Sequence, residues 1–103
     1  SFEYEIKGEI FNVDKIIADM SPKRLLSFNM QDMVVMAPET SKKLKEMNIN
    51  PDKTLKLYPK NYLKGVYILM VKSNNKVLKV KIIPDKKLVD ICRNLDKQKV
   101  IKE

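Results

Sequence analysis

The sequence predicts an α+β fold, a small β-barrel whose ends are closed by two to four short helices. Residues 33–58 have the pattern of a strand, a short helix and a returning strand, and residues 66–95 have that of a hairpin followed by a helix. Two such units favour a small barrel. The chain has 103 residues, of which 44% are hydrophobic and 33% charged, which is typical of one globular domain. We therefore expect a single domain over residues 1–103.

The first thirty residues predict one strand and two helices. Phe2–Lys7 alternates apolar and charged residues, the period-two pattern of a strand with one buried face, and Gly8 is expected to form a bulge in that strand. Asn12 is a suitable N-cap for a helix over residues 13–20, because apolar side chains follow it at helical spacing. The pair Ser21-Pro22 has the cap-and-proline pattern that starts a second helix.

A strand–helix–strand unit is the centre of the predicted fold. Residues 33–36 form an apolar strand, Pro38 leads a short helix, residues 48–52 turn, and residues 54–58 return as a strand. We expect Ile49 to fill the core between the two strands. Most of these residues serve folding, so the unit indicates a scaffold and not an activity.

The second half of the chain predicts a hairpin. Residues 66–71 are apolar on both faces, as expected for a central strand that is covered on each side. Residues 73–76 are turn-forming and lead into a strand over residues 77–83. In that strand Lys79 and Lys81 are expected to face solvent.

A last helix is expected to begin at Pro84-Asp85, with an apolar stripe that includes Cys92. A nucleophilic cysteine needs a base and an exposed electropositive site, and the chain contains no histidine. Cys92 is therefore interpreted as a structural thiol. Residues 99–102 either form a last short strand or fray.

Positive charge is concentrated in the second half of the chain. The net charge is +8, with −3 on residues 1–20 and +7 on residues 61–103. This asymmetry predicts a non-enzymatic protein-interaction domain that binds a protein partner with an acidic face through a basic hairpin face and a groove edge. The alternative is a nucleic-acid-binding domain that contacts phosphates, although 19 of the 21 basic residues are lysine and lack the planar fork of arginine. The predicted partner-binding residues are Lys72, Lys76, Lys79, Lys81, Lys86, Lys87 and Arg93.

Motifs that carry chemistry are missing from the sequence. Two glycines and no histidine cannot build most phosphate-binding loops, metal sites or nucleophile–base pairs. The carboxylates are scattered near lysines, as on a solvated face. The six methionines are interpreted as core-filling residues, because thioether sites for copper usually include histidine or cysteine. We therefore expect no enzymatic activity, no metal and no cofactor.

The sequence also gives expectations about location and assembly. The longest apolar run, residues 66–71, is far shorter than the ~20 residues of a membrane-spanning helix, and the first residues lack the layout of a signal peptide. We expect no membrane insertion and a cytoplasmic or nuclear location, and the lone cysteine fits a reducing compartment. The acidic beginning and the basic end of the chain would allow self-association.

Residues 36–57 resemble the ubiquitin-fusion-degradation adaptor family, in which a methionine and a proline end a strand, a short helix carries a leucine, and an Asn-Ile pair precedes the next strand. The outline is also similar to the amino-terminal domains of valosin-like unfoldases. The resemblance implies a double-psi-like barrel and an adaptor function. The matching positions are Met36, Pro38, Leu44, Asn48, Ile49, Lys56 and Leu57.

Overall fold

The computed structural model describes residues 1–102, and these residues form seven strands in two sheets, two α-helices and one 3-10 turn. The α+β class is confirmed, but the described strands do not close into a barrel. The elements in chain order are β1 (Phe2–Lys7), β2 (Ile10–Lys15), β3 (Lys23–Asn29), the 3-10 turn (Met30–Asp32), β4 (Met33–Pro38), α1 (Lys42–Glu46), β5 (Lys53–Lys56), β6 (Tyr67–Ser73), β7 (Lys76–Ile82) and α2 (Lys86–Leu95).

The first sheet is an antiparallel meander in the order β1-β2-β3. Its second and third strands replace the two helices that the sequence predicts over residues 13–20 and from Ser21-Pro22, so both helix predictions are wrong. Gly8 adopts a φ of 63° and forms a hairpin turn instead of a bulge, and this turn allows β2 to pair with β1. Once β2 pairs with β1, Phe11 and Val13 share one buried face. The extra strands form a separate sheet, and this is why no barrel is completed.

The second sheet has the strand order β4-β6-β7-β5, in which β5 runs parallel to β7 and the other pairs are antiparallel. The predicted hairpin is confirmed, since β6 is central and joins β7 through Asn74 and Asn75, whose φ angles are 52° and 65°. The outer edge of β4 is covered by the end of the chain. There Met36 donates its N–H to the carbonyl of Lys99 at 2.8 Å and accepts from the N–H of Ile101 at 2.8 Å. Val100 forms an isolated parallel bridge with Met36, so this segment pairs with β4 but does not form the predicted short strand.

Both faces of the second sheet are covered. One face packs on the first sheet, and their shared core includes Phe11, Met36 and Leu69, each fully buried. The opposite face carries a smaller cluster that α1 covers through Leu44, and half-buried Ile49 packs against this cluster. The prediction that Ile49 fills the core between the strands at residues 33–36 and 54–58 is wrong, because β4 and β5 lie at opposite edges of the sheet. The apolar character of residues 66–71 on both faces follows from this double cover.

The two helices are capped by side chains that the sequence places just before them. Ser41 accepts the N–H of Leu44 at 3.1 Å and starts α1 later than the predicted start at Pro38, which instead ends β4. Asp85 accepts the N–H of Leu88 at 2.8 Å and starts α2, as the sequence predicts. From α2, Leu88, Val89 and Cys92 enter the core between the sheets.

Burial of the Cys92 thiol makes the stability of the protein depend on pH in the alkaline range. Burial raises the pKa of this thiol from 9.0 to about 11. The unfolded chain then loses the thiol proton at a lower pH than the folded protein, so this contribution to the free energy of unfolding is present below pH 9 and is lost as the pH rises to 11. We expect the loss to reach about 2–3 kcal/mol.

Urea unfolding at intervals from pH 8 to 11 measures this loss. The Cys92→Ala variant is the control, because all other titrating groups are the same in both proteins and only the thiol is removed. Its stability should fall less steeply with pH than that of the parent chain. Parallel pH profiles for the two proteins would show that the thiol does not contribute.

Candidate functional site

The residues predicted to bind a partner are distributed over several parts of the molecule. Lys72 and Lys76 are exposed on the two strands that flank the β6–β7 turn. Lys86 and Lys87 are exposed in the first turn of α2, beyond the opposite end of β7. Since Lys76 and Ile82 are the two ends of β7, the strand separates these groups by about 20 Å.

Lys79 and Lys81 lie together, but the structure corrects their predicted exposure. Both are half-buried, and the Nζ of Lys81 lies 2.6 Å from the Oε2 of Glu39 with only 16% of its side chain exposed. The reason is the apolar strip on the same face of the sheet, which includes Ile68 and Met70 and holds α1 against it. Lys79 lines a cleft beneath α1, and Lys81 is already neutralised by its carboxylate partner.

Arg93 lies on the exposed side of α2, where it lines a shallow polar groove with Asp90, Asn94 and Lys97. The nearby carboxylate of Asp90 reduces the positive potential of that groove. The structure therefore does not bring the seven predicted residues into one basic surface. Their role in binding stays a prediction.

A different group of lysines does converge, at the end of the sandwich where β1 begins and β2 ends. These side chains surround a cleft of about 580 Å³, a volume within the range of about 300–1,000 Å³ that is usual for ligand sites. We call it the lysine cleft. It is lined by Ser1, Phe2, Lys15, Lys56, Tyr58, Pro59, Lys60, Tyr62 and Leu63.

Strand register explains how the lysine cleft is formed. Phe2 lies directly opposite Lys15 in the β1–β2 pair, so the side chains of both are directed to the side of the first sheet that faces the second. Lys56 is the last residue of β5, and the chain then crosses the end of the sandwich before entering β6 at Tyr67. The cleft is thus the open end of the sandwich, covered in part by the β5–β6 connection.

Tyr4 links the two sheets by hydrogen bonds next to the lysine cleft. Its hydroxyl donates to the carbonyl oxygen of Leu57 at 2.6 Å and accepts from the N–H of Ile83 at 3.2 Å. Burial raises the pKa of this phenol, although the bond from Ile83 acts in the opposite direction. Because Leu57 begins the β5–β6 connection, these bonds fix the base of the segment that carries Tyr58 and Lys60.

The lysine cleft is strongly cationic. No carboxylate is among its lining residues. The ion pairs found in residues 1–102 join Arg24 to Asp14, Lys81 to Glu39, Lys99 to Asp96, and Lys102 to Asp90. Within this part of the chain Lys15, Lys56 and Lys60 therefore have no ion-pair partner. Three uncompensated ammonium groups around one cleft favour an anionic ligand.

The cleft also has an apolar component. Phe2, Tyr58 and Pro59 are half-buried, from which we infer that they form its inner part, whereas the three lysines are exposed and define its rim. Next to them Tyr62 is 54% exposed and Leu63 is 86% exposed. An arrangement of this kind can bind a carboxylate or phosphate at the rim and an apolar group further in.

The lysine cleft is absent from the sequence-based prediction, although a signal for it exists. In KLYPKNYLK, residues 56–64, lysine recurs at every fourth position and Tyr58 and Tyr62 fall midway between the lysines. Basic residues interleaved with aromatic ones are typical of binding segments for anionic ligands. The net charge of residues 61–103 hides this signal, because the pattern begins at Lys56 and only its last four residues fall within that region.

No helix among residues 1–102 is both long enough and apolar enough to cross a membrane. Within the same residues, no cluster of three or more histidine, cysteine, aspartate or glutamate side chains has the arrangement of a metal site.

Comparison with known proteins identifies the fold family. A family model described as a bacterial PH-like domain (DUF6106) matches residues 1–102. No curated protein and no solved structure matches the chain. Because the family is bacterial, the nuclear alternative for the location has no support.

The family match overturns the resemblance drawn from residues 36–57. A PH-like domain is a β-sandwich, a different fold from the double-psi barrel of the adaptor and unfoldase families, and the sandwich agrees with the two sheets observed. The resemblance misled because its matching positions are apolar and turn residues that a strand–helix–strand connection needs in either fold. With the family model matching residues 1–102, the chain belongs to the bacterial PH-like domain family (DUF6106).

Proposed function

We propose that this domain is a non-enzymatic interaction module that binds an acidic segment of a partner protein in the lysine cleft. The observation that carries the proposal is the convergence of Lys15, Lys56 and Lys60, all without ion-pair partners in residues 1–102, around a cleft without carboxylates. Complementary charge would steer the partner and fix its register. We propose that this interaction takes place in the cytoplasm, because the only cysteine of the sequence, Cys92, has no partner for an internal disulfide and fits a reducing compartment.

The distribution of charge favours a protein partner over a nucleic acid. A nucleic-acid strand is held by a positively charged groove that follows its backbone. Here the exposed basic residues of the β6–β7 turn and of α2 lie at opposite ends of β7, and the pair between them is half-buried beside Glu39. A short acidic segment needs only the one cleft.

Charge reversal in the lysine cleft tests the proposal. The probe is a fluorescent peptide of ten alternating aspartate and glutamate residues, and binding is measured by anisotropy. Lys56→Glu plus Lys60→Glu should weaken binding at least about tenfold, since two attractive contacts become repulsive. Both residues are exposed and have no ion pair within residues 1–102, so the fold should be retained.

The matched control is Lys72→Glu plus Lys76→Glu, which changes the net charge equally at the far end of β7. This variant should retain peptide binding within about twofold once salt screens long-range attraction. It also tests the sequence-based assignment of the hairpin. Loss of binding in the hairpin variant, with full binding in the cleft variant, would overturn the proposal.

A nucleic-acid arm completes the experiment. A twelve-residue oligothymidine is titrated into the same proteins from about 50 to 200 mM salt. We expect its binding to be weaker than that of the peptide. Tighter oligonucleotide binding that falls steeply with salt, and that depends on both lysine pairs, would replace the proposal with the nucleic-acid alternative.

A further inference from the structure

We infer that the acidic segment carries an apolar side chain between its carboxylates, and that the lysine cleft takes this side chain between Tyr58 and Leu63. The inference rests on the proposed function and specifies the chemistry of the partner. Its basis is the order of the lining residues from inside to outside. Half-buried Phe2, Tyr58 and Pro59 lie inside, and the exposed lysines lie at the rim.

The rim position of the charges sets the layout of the ligand. Carboxylates attracted to Lys15 on the first sheet and to Lys56 and Lys60, at and after the end of β5 in the second, would lie around the mouth of the cleft. A side chain between these carboxylates would then enter the inner part, which offers aromatic and proline surface. An apolar side chain is favoured there, because a polar one would lose its hydration without gaining an ionic partner.

The exposure of Leu63 supports the same occupant. Leu63 is 86% exposed and Tyr62 54% exposed, next to one another at the edge of the cleft. A wholly polar acidic ligand would leave both in contact with water. Contact with an apolar side chain would remove them from water and slow dissociation, whereas the lysines act mainly on association.

Two matched peptides test the inference on the full chain. Each is seven residues long, with three acidic residues on both sides of a central phenylalanine in one peptide and a central serine in the other. We expect the phenylalanine peptide to bind about tenfold more tightly, and the ratio to persist at high salt because burial of apolar surface is not screened. Calorimetry at two salt concentrations gives the ratio.

A variant locates the apolar contact. Leu63→Ser should reduce the ratio of the two affinities to about twofold. Met20→Ser is the control, because Met20 is also a highly exposed apolar residue, at 66%, but does not line the cleft. The control should keep the full ratio. Both positions are exposed, so neither substitution should unfold the protein.

The outcomes separate this inference from the proposed function. Equal binding of the two acidic peptides would overturn the inference and leave the proposed function in place. Binding of neither peptide would overturn both. Vesicles containing phosphatidylglycerol are the third probe, and Leu63-dependent binding to these vesicles in the absence of peptide binding would assign the cleft to an anionic lipid surface and overturn the inference.

Discussion

Replacing Phe11 with alanine is expected to lower the free energy of unfolding by about 3–5 kcal/mol, a large part of the stability of a domain of this size. Phe11 is fully buried between the two sheets. Its ring stacks on Phe28 with centroids 5.1 Å apart and an angle of 15° between the planes. The substitution removes this ring pair and leaves a cavity in the shared core. The cavity could close only if the two sheets moved towards each other.

The neighbouring residue provides the control for this substitution. Ile10 is 36% exposed and precedes Phe11 in β2, with its side chain on the opposite face of the first sheet. Ile10→Ala should cost less than about 1 kcal/mol. Urea unfolding should show a large fall in midpoint for Phe11→Ala with an unchanged slope. Similar midpoints for the two variants would mean that the sheets are not held together by this core.

Replacing Val100 with aspartate is expected to be comparably damaging, at about 3–5 kcal/mol. Val100 lies beyond α2, near the end of the described chain, and is only 5% exposed, because it bridges to Met36 on the edge of β4 and enters the main core. A carboxylate at this position would be buried among apolar side chains without a partner. Thermal unfolding near neutral pH measures the loss, and lowering the pH should restore part of the stability by protonating the new side chain.

Gln98→Asp is the matched control for the charge itself. Gln98 is exposed two residues earlier in the same terminal segment. The same change of charge at this position should shift stability by no more than about 0.5 kcal/mol. If Val100→Asp and Gln98→Asp unfold at the same temperature, the segment around Val100 does not pack on β4.

Sequence patterns predicted the second sheet better than the first, for identifiable reasons. In the β6–β7 hairpin the local signals agree, because Asn74 and Asn75 suit a tight turn and the strand before them is apolar on both faces. In β2 the local signals conflict. The spacing of Val13 and Ile16 is that of one face of a helix, whereas apolar Val13 directly after polar Asn12 fits the alternation of a strand. The pairing of β2 with β1 decides between a helix and a strand, and the residues before Asn12 do not by themselves reveal this pairing.

The buried polar residue of β2, Asn12, shows how the structure resolves that conflict. Asn12 donates to Glu5 on β1 at 3.3 Å and accepts from the hydroxyl of Ser27 on β3 at 2.7 Å. It serves as a link across three strands and not as the predicted helix cap. These bonds form only in the assembled sheet, so local sequence patterns favour the wrong element.

The candidate site was harder to predict than the fold because its residues come from distant segments. Lys15 follows an acidic stretch, whereas Lys56 and Lys60 belong to a segment of moderate charge. Only the register of β1 with β2 and the crossing of the β5–β6 connection bring them together. The lysines after residue 64 contribute most of the net charge. They do not form one surface, because strand alternation places them on different faces and Lys81 is paired with Glu39.

The bonds between Met36 and the terminal segment have a consequence for biosynthesis. Strand β4 is made in the first half of the chain, but the backbone groups of Met36 that face outward find their partners only in Lys99 and Ile101. During translation this edge of the second sheet is therefore open until residue 101 has left the ribosome, although six other strands have already been made. In that interval the nascent chain exposes an edge strand that can pair with another molecule. The segment after α2 can therefore cover this edge only at a late stage of synthesis.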